Sequence, residues 1–465
     1  MITKLEERFT DLFQKNMPDA FVFALILTII TGLSAIFWLD VSLLKVLQSW
    51  YDGFWILLEF GMQMVLLIIT GYSIALSPFI KKLIDRLTQN ITSARQVYFF
   101  SILIGMLLSL VSWGWIVIAA ILARELAQRV KGVHYPYLIA CIYFSSNCWA
   151  TGLSSSIPLL LNTENNYLIE ANILNEVIPT SYTLGSTLNI SMILLWLVGA
   201  PLLMLLLIPK KSEAKELNDL LGSKRDKETQ SIAQEAMEQQ HATKVVSDQL
   251  NNSTILQLAI ALLGLAYIVY HFITRGLDLN LNIMIFIFLI LGLFLHKTPI
   301  RYGISMKRAS SNVSGILFQF PFYAGIMGIM TYTGLGEQLA GIIASVATVD
   351  SFPFFAYLLG GIVNFAIPSG GGEFAVIGPS VIEAANVLGA HLSPEELIAI
   401  KSRASLSIAY GESLTNLLQP FFLLVILPVM GAGIKIQARD IMGYLFVPFL
   451  LYFVLQSIMV VWVPL

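Results

Sequence analysis

The segment from Asn364 to Glu373 concentrates groups that suit the binding of a small anion. Asn364 and Ser369 are polar, and residues 370–372 are three consecutive glycines. Without side chains, successive backbone N–H groups can point at one solute, and the start of the helix that follows favours negative charge. The surrounding sequence, 352–382, is apolar. Non-helical chain inside a membrane survives only where it lines a protein cavity or a solute path, although a plain reversal between two helices would also use glycine.

A second polar interruption lies in the apolar stretch 97–127 and consists of Ser112, Trp113, Gly114 and Trp115. Two indole rings at membrane depth would form a pocket wall, and each ring N–H would need a hydrogen-bond partner. The alternative is ordinary helix packing, with Gly114 as the point of close contact.

Two more apolar stretches, 145–158 and 409–420, contain polar patches bracketed by glycine and proline. This pattern is typical of a transmembrane helix that unwinds near its middle. Serine and threonine hydroxyls can bond back to their own helix and indicate little. The amides of Asn147, Asn416 and Gln419 usually bond another helix or a solute.

Three carboxyl groups, those of Glu59, Glu373 and Glu412, fall inside predicted membrane segments, and no Lys or Arg lies there with them. Because a buried charge is unfavourable in a membrane, each is a functional candidate. Glu59 lies near the start of its helix and could face the interface, and Glu373 could be a helix N-terminal carboxylate stabilised by the dipole. We hypothesise that Glu373 or Glu412 carries a proton when the site works.

Composition places these residues in a polytopic membrane protein of the all-α class. Of 465 residues, 57% are hydrophobic and 12% are charged, and the mean hydropathy is +0.77. Soluble domains average about 25% charged residues. The net charge of -2 hides a segregation of charge into a few loops, and nothing in it indicates a nucleic-acid partner.

Apolar runs near the ~20 residues that cross a bilayer predict about nine transmembrane helices. The predicted spans are 18–39, 53–76, 136–161, 181–209, 255–273, 281–296, 312–333, 402–431 and 440–463. The two centrally interrupted stretches, 97–127 and 352–389, could each be a re-entrant hairpin or a single pass. If both are hairpins and the N-terminus is cytoplasmic, 23 of the 27 Lys and Arg residues lie inside. This agreement with the positive-inside rule favours two hairpins and an external C-terminus.

The same order of elements occurs twice, in residues 1–209 and in residues 281–465. The transmembrane helix within 255–280 flips the second set, so the halves are predicted to be inverted repeats. Corresponding landmarks fall roughly 250 to 263 residues apart, as Thr70-Gly71 with Thr333-Gly334, Ser112-Trp113 with Asn364-Phe365 and Pro158 with Pro420. Inverted repeats with broken helices are typical of secondary transporters. Between them, 210–254 holds 15 charges and is expected to be a mobile cytoplasmic linker, helical in part at most.

Two other classes of protein fit less well. The five histidines lie in loops or at helix ends, and no catalytic constellation of His with Ser or Cys, or of paired Asp, is predicted inside the membrane. We therefore predict no enzyme activity, no metal site and no cofactor. A channel would favour helices repeated around a ring of subunits rather than two inverted halves.

Nine runs in chain order carry a resemblance to a known family. They are Asp52-Gly-Phe-Trp55, Phe60-Gly-Met-Gln-Met64, Ala123-Arg-Glu125, His296-Lys-Thr-Pro299, Phe320-Pro-Phe-Tyr-Ala-Gly325, Asn364-Phe-Ala, Pro368-Ser-Gly-Gly-Gly372, Ala409-Tyr-Gly-Glu412 and Asp440-Ile-Met-Gly443. Together they resemble the bacterial short-chain fatty acid transporter family of the ion-transporter superfamily. The resemblance covers nearly the whole chain except the 210–254 linker. In that family a histidine can follow the three glycines, so Glu373 is a departure.

The resemblance implies a multi-pass permease of the bacterial inner membrane that moves butyrate, acetoacetate or similar small monocarboxylates. It further implies a homodimer in which a hairpin-bearing domain moves as an elevator against a scaffold. H⁺ or Na⁺ is the expected coupling ion. The runner-up is a carrier of a different small anion, a dicarboxylate or an amino acid, of the same superfamily.

The predicted site divides into two sets of residues. Substrate contacts are expected from Ser112, Trp113, Gly114, Trp115, Asn147, Thr151, Asn364, Ser369, Gly370, Gly371, Gly372, Ser413 and Asn416. Coupling-ion or proton binding is expected from Glu373, Glu412, Asn147, Thr415 and Gln419.

Overall fold

The computed structural model describes residues 20–209, 215–221, 231–239, 245–310, 313–365, 367–419, 422–431 and 433–465. Within these ranges every regular element is a helix, which confirms the all-α prediction. Residues 18 and 19 of the first predicted span, Pro420 and parts of the linker lie outside the described residues.

The first half contains ten helices. They are α1 (Ala20–Leu39), α2 (Leu43–Gly53), α3 (Leu58–Ala75), α4 (Pro78–Thr88), α5 (Ala94–Val111), α6 (Ile116–Arg129), α7 (Tyr135–Ser146), α8 (Ser156–Leu161), α9 (Tyr167–Glu170) and α10 (Thr187–Leu206). Helix α10 contains a π-helical stretch, Leu195–Gly199, and 3₁₀ turns occupy Trp113–Trp115, Asn147–Thr151 and Thr180–Tyr182.

The linker contributes α11 (Leu217–Leu221), α12 (Ile232–Glu238) and α13 (Val246–Asn251). The remaining helices are α14 (Thr254–Arg275), α15 (Leu281–His296), α16 (Pro299–Ser310), α17 (Ser314–Thr333), α18 (Leu335–Val346), α19 (Phe352–Val363), α20 (Gly370–Leu388), α21 (Pro394–Thr415), α22 (Leu423–Met430), α23 (Arg439–Met442) and α24 (Phe446–Trp462). Turns of 3₁₀ helix follow α21 and α23.

Five helical stretches of the described chain are long and apolar enough to cross a membrane. They are Leu43–Ala75, Ala94–Val111, Thr187–Leu206, Val246–Arg275 and Asp440–Trp462. Large apolar side chains on α14 face outward, among them Ile255 at 83% and Leu263 at 69% exposure. Such a surface suits lipid rather than water.

The chain reverses direction between α5 and α6. Ser112 is extended (φ -154, ψ 132) and ends α5. A methyl carbon added to Gly105, seven residues before Ser112, would lie 3.6 Å from Cβ of Ala119, seven residues after it. Helices α5 and α7 then run in parallel, because Tyr98 contacts His134 at the N-cap of α7 and Gly105 faces Ser145 near its end. Because α6 connects the end of α5 to the start of α7, and these two helices are parallel, α6 must run antiparallel to both. We call residues 112–115 the first reversal.

A second reversal, residues 364–365 and 367–369, separates α19 from α20. Ser369 is extended (φ -157, ψ 107) and its hydroxyl caps α20. Helices α19 and α21 are parallel, since Gly360 faces Ile408 and Gly361 faces Thr415. Helix α20 must therefore run back, as α6 does in the first half.

Two helices are broken where glycine and proline bracket polar residues. Helix α7 gives way to 3₁₀ turns at Asn147–Thr151 before α8 starts, and α21 gives way to Asn416–Leu418 before α22 starts. The two breaks cross in opposite directions. The hydroxyl of Tyr143 donates to the main-chain oxygen of Asn416 at 2.6 Å, whereas the hydroxyl of Ser413 donates to that of Asn147.

The halves also exchange partners. Helix α1 packs against α17, and α3 packs against α15. Helix α2 packs against α17, and α16 packs against α3. Helix α6 packs against α22, and α20 packs against α8. By element order, α1 corresponds to α15 and α3 to α17, so the contact of α1 with α17 mirrors the contact of α15 with α3. The other two pairs of contacts mirror each other in the same way.

Loops meet in two groups. One group pairs Arg124 with the Met430 carbonyl (2.7 Å), Gly132 with Glu216 (2.8 Å) and Arg308 with Glu235. The other pairs Arg275 with Glu164 (3.0 Å) and Arg403 with the Val463 carbonyl (2.6 Å). Each group joins loops and helix segments that the distribution of Lys and Arg assigns to one side of the membrane.

The described parts of the linker dock on the helices. The main-chain oxygen of Lys215 accepts a hydrogen bond from the Tyr135 N–H (2.9 Å), and Ile232 and Ala236 are buried against Ile304. The sequence predicted a mobile linker because charged residues dominate its composition and the few apolar residues that pack on the helices do not stand out.

Candidate functional site

The second reversal is held to the break in α21 by one side-chain amide. Nδ2 of Asn364 lies 2.9 Å from the main-chain oxygen of Glu412, 2.9 Å from Oγ1 of Thr415 and 2.9 Å from Oδ1 of Asn416. Three acceptors around one amide nitrogen fix its orientation, because only the NH₂ end can donate. The opposite atom, Oδ1 of Asn364, is buried and has no hydrogen-bond partner among the described residues. What Asn364 offers to a bound species is therefore an acceptor.

The remaining amides complete this network. Nε2 of Gln419 donates to the main-chain oxygen of Asn364 (3.2 Å) and to Oδ1 of Asn416 (3.0 Å). The Tyr143 hydroxyl reaches the main-chain oxygens of Asn416 (2.6 Å) and Gln419 (3.0 Å). Backbone groups released by an unwound helix need such partners inside an apolar environment. These amides thus stabilise the break, in addition to any contact with a solute.

Two carboxyl groups next to this network are fully buried, at 0% exposure for Glu373 and Glu412. Oε1 of Glu412 accepts a long hydrogen bond from Asn416 (3.4 Å). Oε2 of Glu412 and both carboxyl oxygens of Glu373 have no hydrogen-bond partner within the described chain. A buried, unpaired carboxylate is unfavourable, so a proton or a cation is needed at each group.

Several groups converge at Gly370, the first residue of α20. A methyl carbon added there would lie 2.9 Å from Cη2 of Trp149, 3.4 Å from Oε2 of Glu412 and 3.5 Å from Oγ of Ser156. Trp149, in the break after α7, and Ser156, at the start of α8, belong to the first half of the chain. Gly370 in α20 and Glu412 in α21 belong to the second half. Trp149 and Ser156 were not among the predicted site residues. Ser156 is the last of three consecutive serines, and Trp149 lies inside the polar patch 145–158.

The N-terminus of α20 points into this cluster. Ser369 is its N-cap, with Oγ 3.4 Å from the N–H of Gly372 and its carbonyl 2.7 Å from the N–H of Glu373. Helix α20 has 19 residues. The first amides of such a helix carry partial positive charge and favour an anion.

The first reversal packs on α3 and on the break after α7. The ring N–H of Trp115 donates to the Gly71 carbonyl at 2.6 Å, and the main-chain N–H of Trp113 donates to Oγ of Ser154 at 2.9 Å. Gly114 lies against Tyr72 and buried Ser112 against Gly71. The indole N–H of Trp115 therefore has the partner that its depth requires, supplied by the main chain. These contacts place residues 112–115 beside α3, whereas the cluster around Gly370 surrounds the second reversal.

Asn147 and Thr151 contact protein groups within the first break. Nδ2 of Asn147 donates to the Tyr143 carbonyl (2.9 Å), and Oγ1 of Thr151 donates to the Cys148 carbonyl (2.7 Å). Ser413 joins the two breaks through its bond to the Asn147 carbonyl. The structure thus brings Asn147 and Ser413 together.

A buried polar pair outside the prediction supports the same crossing. The Tyr410 hydroxyl donates to Oδ1 of Asn189 (2.9 Å), and Nδ2 of Asn189 donates to the Thr151 carbonyl (3.0 Å). Asn189 was identifiable as an amide inside the predicted span 181–209. The described residues include no group of three or more His, Cys, Asp or Glu arranged to hold a metal ion.

Comparisons with known proteins agree over nearly the full length. A family model described as "Short chain fatty acid transporter" matches residues 1–463. A protein of Escherichia coli (strain K12) that is named among the short-chain fatty acid transporters is 35% identical over 447 residues, which are 96% of each chain. A protein of Haemophilus influenzae with the same naming is 33% identical over 450 residues, again 96% of each.

Two solved structures share the fold at low sequence identity. The YdaH transporter of Alcanivorax borkumensis, whose topology is unusual, has a TM-score of 0.54 and 16% identity, with 96% of this chain and 98% of that chain covered. MtrF of Neisseria gonorrhoeae, from a class of antimetabolite efflux pumps, has a TM-score of 0.53 and 15% identity, with 98% and 97% covered.

Proposed function

The chain belongs to the short chain fatty acid transporter family, and from this premise we propose that it carries butyrate, acetoacetate or similar small monocarboxylates as a secondary transporter. The observation that carries the proposal is the convergence of both halves at Gly370. There a helix N-terminus, an indole, a hydroxyl and an unpaired carboxyl oxygen surround one point. A site built from the breaks of two halves is the arrangement that alternating access uses.

The proposed topology has two inverted repeats and two re-entrant hairpins, Ala94–Arg129 and Phe352–Leu388. The N-terminus is cytoplasmic and the C-terminus external, in the bacterial inner membrane. Support comes from the antiparallel crossing of the two breaks and from loops that group as the Lys and Arg distribution requires.

The substrate carboxylate is proposed to bind the first amides of α20 and Ser369. Glu373 and Glu412 would repel that anion if both were ionised with no counter-charge, because a low-dielectric site strengthens the repulsion. A proton or Na⁺ must therefore accompany the substrate. Oxygen acceptors suited to a cation are Oδ1 of Asn364 and Oε2 of Glu412, both without a described partner.

The moving part is proposed to comprise both hairpins and both broken helices, in a homodimer whose scaffold includes α3 and α17. The first reversal touches α3 at Gly71, and the first turn of α20, directly after the second reversal, contacts Phe60 of α3 and Tyr323 of α17. Elevator motion would slide the reversals along these two helices.

The decisive experiment uses purified protein in liposomes with labelled butyrate, acetoacetate or succinate, under separate Na⁺ and pH gradients. Saturable uptake of butyrate or acetoacetate with counterflow is expected, stimulated by one of the two gradients. Protein-free liposomes and a Gly303→Ala variant, whose added methyl meets open space, provide the controls. Uptake of succinate alone would instead favour a carrier of another small anion, and linear flux without counterflow would favour a channel.

A further inference from the structure

Each of the three glycines at the start of α20 faces an aromatic ring. Added methyl carbons would lie 2.9 Å from Trp149 at Gly370, 2.8 Å from Phe60 at Gly371 and 2.9 Å from Tyr323 at Gly372. Such separations are too short for a real side chain, so glycine is required for the rings to approach the backbone this closely. The glycines therefore serve ring contact as well as the presentation of backbone N–H groups.

Two of these rings belong to a continuous aromatic belt, formed by Tyr167, Phe60, Phe320 and Tyr323. Neighbouring ring centroids are 5.6 Å apart for Phe60 and Tyr167, 5.8 Å for Phe60 and Phe320, and 6.1 Å for Phe320 and Tyr323. None of the four side chains exceeds 4% exposure. The belt is a close-packed wall across one side of the glycine segment.

Polar groups also approach the start of this segment, next to the ring of Trp149. Oγ of Ser156 and Oε2 of Glu412 both approach the Gly370 position, and that Glu412 oxygen is buried without a described partner. A solute held by the first amides of α20 would thus lie within reach of both polar oxygens and aromatic rings. This combination suits a small acid with one charged end and a short hydrocarbon end.

We propose that the aromatic belt sets the longest hydrocarbon chain the carrier accepts, with Phe60 as the residue that stops chain growth. The inference rests on the proposed function, because it takes the substrate carboxylate to bind the first amides of α20. Its physical basis is steric. A hydrocarbon chain that extends past the glycine segment must displace the ring of Phe60, which packs on Gly371, Phe320 and Tyr167, and a tightly packed interior resists such displacement.

The test measures how well unlabelled unbranched acids of two to eight carbons inhibit labelled butyrate uptake into liposomes. Phe60→Ala and Phe60→Leu are compared with wild type. In Phe60→Ala, inhibition by the six- and eight-carbon acids should strengthen by about tenfold or more relative to inhibition by butyrate itself. Phe60→Leu should show a smaller change in the same direction.

Two controls isolate the effect. Phe322→Ala removes a ring from α17 that packs against Phe54 (5.4 Å between centroids) rather than against the glycines, and it should leave the chain-length profile unchanged. Tyr323→Phe keeps the ring and should also keep the profile. If Phe60→Ala is poorly folded, Phe60→Leu is assayed by ligand-induced shifts in thermal stability, with octanoate expected to gain over butyrate.

The two proposals fail in different ways. An unaltered profile in Phe60 variants that still transport butyrate would overturn the role of the belt. Absence of saturable uptake of every short-chain acid by the wild-type protein would instead overturn the proposed function.

Discussion

The side-chain amide nitrogen of Asn364 lies 2.9 Å from the side-chain oxygen of Asn416, 52 residues further along the chain. With its bonds to Glu412 and Thr415, this nitrogen connects the second reversal to the broken helix α21. The connection depends on hydrogen-bond donors at one buried atom, and this dependence can be tested with a nearly isosteric change.

Asn364→Asp replaces that donor with an oxygen facing three acceptors. We expect uptake to be lost and the free energy of unfolding to fall by about 3 kcal/mol or more, since buried unmatched polar groups each contribute about 1–3 kcal/mol. Uptake into liposomes and thermal unfolding in detergent measure the two effects. Asn90→Asp, at an exposed residue, should change neither, and equal behaviour of the two variants would contradict the donor role.

Replacing Glu373 or Glu412 with glutamine removes a group able to bind a proton while keeping its size. If one of them carries the coupled proton, that variant should still exchange substrate across the membrane but lose stimulation of uptake by a pH gradient. Uptake with and without the gradient, beside counterflow, separates these steps. Glu164→Gln, in an exposed loop, is the control. Wild-type stimulation in both buried variants would rule out the hypothesis.

Gly360→Ala tests the close approach of α19 and α21. The added methyl would lie 2.6 Å from the main-chain oxygen of Ile408 and 2.8 Å from its Cα. Because backbone must move, we expect the free energy of unfolding to fall by about 1–3 kcal/mol. Gly303→Ala in α16, with nothing within 4 Å of the new methyl, should be neutral or stabilising by up to about 1 kcal/mol. If the Gly360→Ala and Gly303→Ala variants unfolded at the same midpoint, α19 and α21 would be able to move apart without loss of stability.

Glu396 provides a pH-dependent prediction outside the membrane. Its carboxylate accepts hydrogen bonds from the main-chain N–H (2.9 Å) and the hydroxyl (2.8 Å) of Ser393, and these bonds lower the pKa of Glu396. A lowered pKa stabilises the folded state above the ordinary pKa of about 4.3, and this contribution is lost as pH falls through the folded-state value.

The melting temperature of Glu396→Gln should therefore lie below that of wild type at neutral pH, and the difference should shrink as pH falls below about 4. Glu395→Gln, at the exposed neighbouring residue, removes the same charge without these bonds and should show a smaller difference. A difference for Glu396→Gln that stayed constant between pH 7 and pH 3 would contradict this assignment.

The helices and their interruptions follow closely from the sequence, because apolar length and helix-breaking residues act locally. The predicted span 281–296 matches α15, and the predicted stretch 352–389 matches α19 and α20 to within one residue. Helix α21 begins at Pro394, eight residues before the predicted span at 402. Its first turns carry Glu395 and Glu396, which hydropathy excludes although a capping box at Ser393 starts the helix there.

The site was predictable in its polar part and hidden in its aromatic part. Asn364, Thr415, Asn416 and Gln419 cluster because buried polar groups in an apolar chain must find each other. A glycine run, in contrast, does not reveal whether a solute or a ring fills the space beside it. Phe60 and Tyr323 occur in two of the family-like runs, but they lie in apolar helices far away in sequence, and only the packing places them beside the glycines. The orientation of the Asn364 amide likewise depends on acceptors that come from another helix.

The exchange of partners between the halves has a consequence for synthesis of the protein. Helix α1 packs against α17, and α3 packs against α15, so neither early helix has its mate when it leaves the ribosome. At 5–20 residues per second, roughly 15–60 s pass between completion of α1 and completion of α17. Throughout that interval the nascent chain must be sheltered by lipid, the insertion machinery or a chaperone, and truncation anywhere before Thr333 leaves α1 without its mate.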